Sequence, residues 1–250
     1  MSGSLYADLS AYYDRFCAEV DYAQQCEFAQ RVFDCFASSG GRHYLDLACG
    51  TGQHLSLMKQ RGFSVSGLDN SAQMLELAQQ RCPDAKLLLC DLAAFDQHST
   101  FDLISCFLYS IHYSHPLSSL KQTLERSWLA LKPGGVFVFN AVDAAGIHND
   151  NRTVTQLSDG DSKFTFKSAW HYCGSGEVLD LMLTITCESA AGVQHWSDRH
   201  TMTATSLLDL RIMLEQIGFE VTVLEHDYSL MSMQKAGSFN AIFVACKPVV

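Results

Sequence analysis

The stretch LDLACGTG at residues 45–52 decides how this chain folds. It begins as a short apolar strand, turns at Gly50 and Gly52, and continues into a helix. Glycines at such a turn let the backbone pass close to a ligand, because no Cβ stands in the way. In an open α/β sheet, a ligand binds beyond the carboxyl ends of the strands, where the strand order reverses. The stretch therefore predicts a ligand site at the end of the first strand.

Outward from this stretch, strands and helices alternate. We expect strands over residues 43–48, 63–68, 85–89, 101–105 and 136–140, with helices between them and two more helices within residues 5–38. This alternation predicts a parallel sheet with right-handed crossovers. After residue 142 the pattern changes to β-rich runs joined by glycine turns, over 164–172, 178–187 and 193–202. A helix over 205–217 and two closing strands follow.

The predicted fold is α/β, with a Rossmann-like, seven-stranded, mostly parallel sheet that carries helices on both faces, plus a three-stranded antiparallel insertion. We expect three units along the chain. Residues 1–40 form N-terminal helices that cap the ligand site. Residues 41–142 and 203–250 form the Rossmann-like domain, and residues 143–202 form the antiparallel insertion over the active site.

The charges around the glycine turn indicate which ligand it holds. A dinucleotide fingerprint needs a third glycine, and Leu55 stands at that position. Asp46, inside the strand, would lie badly beside a pyrophosphate and would suit a cation. Asp69 ends the second strand, where a carboxylate accepts hydrogen bonds from ribose hydroxyls. Asp91 and the Leu92 N–H follow the third strand and suit an adenine, so adenosine with a cationic, phosphate-free tail predicts S-adenosylmethionine (SAM).

Each of these signals has a plainer explanation. A glycine pair after a strand is a weak signal by itself, Asp69 alone would serve as a helix cap, and Asp91 alone would be a loop residue. Their succession at the ends of three strands, with the KPGG turn at 132–135 before the fifth, favours a binding site.

The chain resembles the class I SAM-dependent methyltransferases over about residues 10–140. Within that superfamily it is most similar to the small-molecule N-methyltransferases that dimethylate nucleotide-linked amino sugars, and to their glycine N-methyltransferase-like relatives. The resemblance is carried by Tyr13-Asp14 with Asp21-Tyr22, by ACGTGQHL at 48–55, by GLDNS at 67–71 with Met74-Leu75, and by QHWSDRH at 194–200.

The resemblance implies a set of site residues. Gly50 and Gly52 line the methionine part of SAM, Asp69 binds the ribose beside Asn70 and Met74, and Asp91 and Leu92 hold the adenine. Phe107 and His112 follow the fourth strand on the substrate side. The full set of expected cofactor-binding residues is Tyr22, Asp46, Ala48, Cys49, Gly50, Gly52, His54, Asp69, Asn70, Met74, Asp91, Leu92, Phe107 and His112. The expected product of the cofactor is S-adenosylhomocysteine (SAH).

The candidate catalytic residues are His112 and Tyr13. Methyl transfer from a sulfonium is an in-line displacement that needs mainly proximity and a dry site, so His112 would orient the acceptor or take its proton. The alternative is a histidine satisfied within its loop. Tyr13 and Tyr22 either close over SAM or pack the N-terminal helices. His112 and His115 lack the carboxylate or Cys-x-x-Cys partners of a metal site, so we expect no metal.

In the predicted strand at 193–202 of the insertion, successive side chains should point to opposite faces of the sheet. His195, Ser197 and Arg199 should share one face of that strand, and Trp196, Asp198 and His200 the other. One face would cover the substrate; the alternative is a hairpin that stabilises the fold or forms a dimer.

Composition limits the partners. The net charge of −10, without a Lys/Arg cluster, disfavours nucleic acid and favours a small-molecule acceptor. Ten scattered cysteines without a Cys-x-x-Cys, no signal peptide and no apolar run of about 20 residues indicate a cytoplasmic protein without a membrane partner. A homodimer is possible. An amine nitrogen is the expected methyl acceptor; the alternatives are an O-methyltransferase, a non-catalytic SAM-binding protein, a nicotinamide oxidoreductase and a macromolecular methyltransferase.

Overall fold

A computed structural model describes residues 10–249 of the chain. Two helices come first, α1 (Ser10–Phe16) and α2 (Tyr22–Phe36). The Asp21 carboxylate caps α2 by accepting the Gln24 N–H at 2.8 Å, so the acidic residue stands where an N-cap is needed. The prediction of two helices within residues 5–38 is confirmed from residue 10 onward; residues 1–9 lie outside the described part.

The alternation of strands and helices is confirmed. The elements in chain order are β1 (His43–Leu47), α3 (Gln53–Gln60), β2 (Ser64–Asp69), α4 (Ala72–Arg81), β3 (Lys86–Leu89), β4 (Phe101–Cys106), α5 (Leu117–Ala130) and β5 (Leu131–Val142). Between β4 and α5 lies one turn of 3-10 helix, Ser110–Tyr113, and a second such turn, Ala144–Gly146, follows β5. The turn at 132–135 loops out of the ladder, since pairing with β4 passes from Leu131 directly to Val136.

The insertion has four antiparallel strands rather than the three predicted. They are β6 (Arg152–Asp159), β7 (Ser162–Tyr172), β8 (Val178–Ser189) and β9 (Gly192–Thr203), paired in that order. The missed strand, β6, lies at one edge, where six of its eight residues are exposed. A strand is predicted from apolar residues that alternate along one buried face, and the apolar residues of β6 are just Val154 and Leu157.

The chain then returns to the first sheet through α6 (Leu207–Ile217), β10 (Glu220–Glu225) and β11 (Asn240–Cys246). The seven strands lie in the order β10-β11-β5-β4-β1-β2-β3, and β11 runs antiparallel to both of its neighbours. This confirms the predicted α/β fold with a seven-stranded, mostly parallel sheet. Strand order reverses between β4 and β1, so the turn after β1 lies at the switch point.

Both faces of the seven-stranded sheet are covered. One face packs under α5 and α6, with Leu120, Leu124 and Leu214 fully buried. The other packs under α2 and α3, with Phe28 and Met58 fully buried. Two-sided cover explains why β4 is buried along its whole length. Among residues 10–249, no helix combines the length and the apolar character that crossing a membrane requires.

Candidate active site

A cavity of about 610 Å³, partly open to solvent, lies beyond the carboxyl ends of β1, β2 and β3. Its walls come from the turn after β1, from the ends of β2 and β3, and from the 3-10 helix after β4. The lining residues are Tyr13, Ala48, Gly50, Leu68, Asp69, Asn70, Met74, Cys90, Leu92, Ser110 and Tyr113. The cavity therefore lies where the sequence predicts a ligand.

The two glycines of the turn have different tasks. Gly50 has φ +53°, and a Cβ at this position would come near just Tyr13 Cε1, at 3.7 Å, so Gly50 opens the backbone toward the cavity. Gly52 has φ +80°, and its Cβ would stand 3.0 Å from Ala78 Cα. Gly52 lines neither this cavity nor the one beside it. The missing Cβ lets α4 pack against the turn, and the predicted contact of Gly52 with the methionine part of SAM stays a prediction.

Asp69 anchors the floor of the cavity. Its Oδ2 accepts the Gly50 N–H at 2.9 Å and its Oδ1 accepts the Ser71 N–H at 2.9 Å. Burial raises the pKa of this carboxyl group, and hydrogen bonds from the backbone N–H groups of Ser71, Gly50 and Asn70 act against that shift. A carboxylate has about four lone-pair sites, so Asp69 can hold the turn and still accept from a ribose hydroxyl.

A second cavity of about 340 Å³ adjoins the first and shares Tyr13, Ala48, Gly50 and Ser110 with it. Predicted residues that line this second cavity are Tyr22, Asp46, Cys49, His54 and Phe107. The Tyr22 and Phe107 rings lie 5.0 Å and 5.3 Å from the His54 ring. The two cavities therefore bring together most of the predicted site residues.

The Asp46 carboxylate lies beside His54 in the second cavity. Asp46 Oδ1 accepts from Ser105 Oγ at 2.8 Å, whereas its buried Oδ2 makes no hydrogen bond to any described residue. Oδ2 lies 3.4 Å from His54 Nδ1, and His54 Nε2 is 2.8 Å from Gln25 Oε1. A cationic N–H donor that enters the cavity would therefore find an acceptor at Asp46 Oδ2.

Hydrogen bonds from Thr51 and Arg81 to Asp14 hold helix α1 over the glycine turn. The Thr51 hydroxyl donates to Asp14 Oδ1 at 2.6 Å, and Arg81 Nη2 lies 2.6 Å from Asp14 Oδ2. Arg81 also donates to the Thr51 carbonyl. This clamp places Tyr13, one residue before Asp14, in the wall of both cavities.

The third strand contributes in a different way from the prediction. Leu92 lines the first cavity, as expected, and Cys90 lines it as well. The exposed Asp91 is absent from the residues that line either cavity, and its Oδ1 accepts the Ala93 N–H at 2.8 Å. In this structure Asp91 shapes the turn after β3, and its predicted role toward adenine stays a prediction.

His112 lies away from both cavities. Its ring is fully buried, with Nδ1 2.9 Å from the Thr203 carbonyl and Nε2 3.1 Å from the Val142 N–H. A carbonyl accepts and an N–H donates, so this histidine is a neutral Nδ1–H tautomer with both nitrogens occupied. Burial lowers its pKa to about 4. These contacts favour the alternative, a satisfied loop histidine, which here connects β5 to the end of β9. A role for His112 toward the acceptor stays a prediction.

Two residues of this segment, Ser110 and Tyr113, face the first cavity. A 3-10 helix has three residues per turn, so Ser110 and Tyr113 share one face and line the first cavity, while Ile111 and His112 are buried. The segment begins with two consecutive left-handed residues, Leu108 at φ 55° and Tyr109 at φ 60°. The sequence analysis missed Tyr113, and the i, i+3 spacing from Ser110 was the signal that would have found it.

The antiparallel sheet packs against both α1 and the 3-10 helix. Phe16 of α1 meets Phe166 edge to face at 5.7 Å, and Arg15 pairs with Asp159 at 2.7 Å. At the 3-10 helix, the Tyr113 hydroxyl lies 2.8 Å from His200 Nδ1. In β9, Trp196, Asp198 and His200 are partly buried while His195, Ser197 and Arg199 are exposed, which confirms the predicted division of that strand.

The lining residues fit SAM in charge and in the chemistry of their side chains. Among the described residues that line the two cavities, Asp46 and Asp69 are acidic and none is Lys or Arg. Such walls suit a cation and oppose a pyrophosphate. The first cavity offers a carboxylate for ribose and apolar side chains for a base, and the second offers the unpaired Asp46 Oδ2 for an ammonium group.

Comparison with known proteins agrees with this arrangement. Residues 44–135 match a family model described as a methyltransferase domain. The dTDP-3-amino-3,6-dideoxy-alpha-D-glucopyranose N,N-dimethyltransferase of Streptomyces fradiae is 38% identical over 171 residues, covering 64% of this chain and 62% of that protein. The dTDP-4-amino-2,3,4,6-tetradeoxy-D-glucose N,N-dimethyltransferase of Saccharopolyspora spinosa is 31% identical over 125 residues, covering 46% of this chain and 50% of that protein.

These matches therefore span between half and 62% of the relatives' own lengths. The match to a solved structure is longer. The sugar N-methyltransferase KedS8 from Streptoalloteichus superposes with a TM-score of 0.83 over 99% of this chain and 96% of that one, at 22% identity. At that identity the likeness shows the fold, including the antiparallel sheet.

Proposed function

We propose that this chain is a class I SAM-dependent methyltransferase that methylates the amine nitrogen of a small molecule, with amino sugars as the acceptor class. The names of the two relatives support this acceptor, since both describe dimethylation of an amine on a dTDP-linked sugar. The net charge of −10 supports a small molecule over nucleic acid.

One observation carries the proposal. Asp69 ends β2 with its carboxylate bound to backbone N–H groups and with lone-pair capacity left for a ligand hydroxyl, beside a glycine turn that Gly50 opens. Together with the unpaired Asp46 Oδ2 in the adjoining cavity, this supports a ligand with a diol at one end and a cation at the other. SAM has both.

When bound, SAM would supply a methyl group on its sulfonium for in-line attack by a neutral amine nitrogen, with SAH as the leaving group. The chain's own contribution is to hold and orient the reactants and to exclude water. Asp69 and Leu92 would hold the adenosine, Asp46 would take the ammonium of the methionine part, and Tyr13 would close the wall between them. The antiparallel sheet would cover the acceptor from the side of the 3-10 helix.

A turnover screen tests the proposal. Purified protein with SAM is offered dTDP-linked amino sugars, free amino sugars, amino acids, simple amines and phenols, and both SAH release and the mass gain of each acceptor are measured. Free amino sugars stand beside the dTDP-linked ones because a chain with net charge −10 repels anions. We expect SAH release with one or two methyl groups added to an amino sugar.

The other outcomes separate the alternatives. Turnover of phenols or of sugar hydroxyls in place of amines would support an O-methyltransferase. SAM binding without a methylated product from any acceptor would support a non-catalytic SAM-binding protein. Either result would overturn the proposed function.

A further inference from the structure

We infer that Asn140 is a positioning residue for methyl transfer: its side chain fixes the turn at residues 107–110, which borders both cavities of the candidate site. The inference rests on the proposed function and adds to it a residue outside the set predicted from the sequence. Asn140 lies in β5, one residue beyond Phe139, where pairing with β4 ends at Cys106. It is 1% exposed, so its side chain is buried at the edge of the sheet where the cavities lie.

The turn at residues 107–110 is strained. The Ser110 N–H donates to the Phe107 carbonyl at 3.1 Å, and the two residues between them have positive φ, Leu108 at 55° and Tyr109 at 60°. A turn of this kind favours Gly, Asn or Asp at both central positions, because a larger side chain is crowded in the left-handed region. Leucine and tyrosine do not hold this conformation by themselves, so contacts from other parts of the chain must fix it.

The strained turn shapes both cavities. Phe107, Leu108 and Ser110 line the second cavity, and Ser110 also lines the first. Among the described residues, four other than glycine have positive φ, and three of these four, Ala48, Leu108 and Tyr109, lie in the two turns that border the cavities. Backbone strain gathers where a fold holds a site ready for its ligand. The conformation of this turn therefore serves the site.

The Asn140 carboxamide joins the turn to another part of the fold. The Tyr109 N–H donates to Asn140 Oδ1 at 3.2 Å. Asn140 Nδ2 lies 3.3 Å from His226 Nε2 and donates to it. Burial lowers the pKa of His226, so its imidazole is neutral and Nε2 can accept. The carboxamide thus uses its oxygen for the turn and its nitrogen for the segment that follows β10.

Aromatic contacts hold the Tyr109 ring. It stacks on the His226 ring with 5.5 Å between centroids and meets Trp170 of β7 edge to face, also at 5.5 Å. Ring contacts form over a range of about 4.5–7 Å between centroids, whereas an N–H···O bond needs about 2.7–3.2 Å between its heavy atoms. Of the contacts that hold Tyr109, the hydrogen bond to Asn140 therefore fixes the position of the turn most narrowly.

Methyl transfer depends on that position. In-line attack requires the acceptor nitrogen to be aligned with the sulfonium methyl group, and a shift of about 1 Å costs about 10²-fold in rate. The residues proposed to hold the adenosine, Asp69 and Leu92, follow β2 and β3 and do not belong to this turn. Loss of the Asn140 contacts should therefore disturb the acceptor more than it weakens SAM binding.

A kinetic comparison tests the inference. Asn140→Leu keeps a side chain of similar size and removes both hydrogen bonds. With dTDP-3-amino-3,6-dideoxy-α-D-glucopyranose as the probe, kcat and KM are measured, and calorimetry counts the SAM-binding sites so that kcat refers to folded protein. We expect kcat per site to fall by about 10- to 10²-fold while the Kd for SAM changes little. Asn140→Asp keeps an oxygen for the Tyr109 N–H and should retain more of the wild-type kcat than Asn140→Leu.

A matched control separates positioning from stability. Ser127→Ala removes a buried hydroxyl that donates to the Thr123 carbonyl at 2.8 Å within α5, away from both cavities. This variant should melt at a lower temperature and keep the wild-type kcat per site. If Asn140 only stabilises the fold, Asn140→Leu would behave in the same way. A wild-type kcat per site in Asn140→Leu would therefore overturn the inference.

A second measurement needs no acceptor. Hydrogen–deuterium exchange with SAH added is followed by mass spectrometry for the peptide that contains residues 107–110. In Asn140→Leu this peptide should exchange severalfold faster relative to the rest of the chain, whereas in Ser127→Ala it should exchange as in wild type. Unchanged relative exchange in Asn140→Leu would overturn the inference alone. Faster exchange in a protein that methylates no amine would count against the proposed function alone.

Discussion

Replacing Asp69 by Ala should weaken SAM binding far more than it weakens the fold. The carboxylate keeps lone-pair capacity after it binds the backbone N–H groups of the turn, so it can accept from a ribose hydroxyl. Losing hydrogen bonds to a charged group costs about 1.5–3 kcal/mol, which raises Kd by about 10- to 150-fold. Isothermal titration calorimetry with SAM measures this change.

The same substitution also leaves two backbone N–H groups without their acceptor, at a cost of about 1–3 kcal/mol in the free energy of unfolding. Asp102→Ala is the matched control. Asp102 is fully buried at the opposite end of the sheet and accepts from the His43 N–H at 2.8 Å and the Gly41 N–H at 3.2 Å. The control should lose stability and keep its SAM affinity. A folded Asp69→Ala protein that binds SAM as tightly as wild type would refute the ribose assignment.

Three further predictions follow from neighbouring residues. Burial lowers the pKa of His112 to about 4 from 6.5. The contribution of this shift to the free energy of unfolding is therefore complete above pH 6.5 and is lost as the pH falls toward 4, at up to about 1.36 kcal/mol per pH unit. Urea unfolding across this pH range should show the loss, and an equally steep pH dependence in His112→Gln would contradict it. Gly52→Ala should lower the free energy of unfolding by about 1–3 kcal/mol, because the new Cβ meets Ala78, whereas Gly50→Ala should chiefly weaken SAM binding. Calorimetric melting and SAM titration are measured for both variants. Equal losses of stability and of affinity in the two variants would show that the two glycines do not have these separate roles. Asp14→Asn should raise the Kd for SAM severalfold by weakening the attachment of α1. It should change the free energy of unfolding by less than about 1 kcal/mol, since Asp14 and Arg81 are partly exposed. An unchanged Kd would show that the contacts of Asp14 do not position Tyr13.

The sequence predicted the elements whose pattern is local. The strand, glycine turn and helix around residues 45–52 follow from apolar runs and glycines, and so does the seven-stranded sheet. The sequence analysis did not predict strand β6, because an exposed edge strand shows little alternation of apolar and polar residues. The clamp of Asp14 on Thr51 and Arg81 joins residues 37 and 67 positions apart, and no spacing along the chain encodes such a contact.

The site residues also divide into those that a local pattern predicts and those whose position depends on packing between distant parts of the chain. Asp46, Gly50 and Asp69 were predicted because each lies at or just after the carboxyl end of a strand, where topology fixes the position. His112 was chosen for its chemistry, but the 3-10 helix turns it into the core and brings Tyr113 to the cavity. Gly52 was assigned to the ligand because two glycines in one turn look alike in sequence, and the packing of Ala78 separates them.

The most direct test of the central claim follows the methyl group itself. SAM labelled with ¹³C in the methyl group is incubated with the protein and dTDP-3-amino-3,6-dideoxy-α-D-glucopyranose, and the product is examined by NMR and mass spectrometry. The account predicts one or two labelled methyl carbons bonded to the sugar nitrogen, with an equal amount of SAH formed. A labelled methyl on oxygen, or SAM that binds and stays intact with every amine offered, would contradict it.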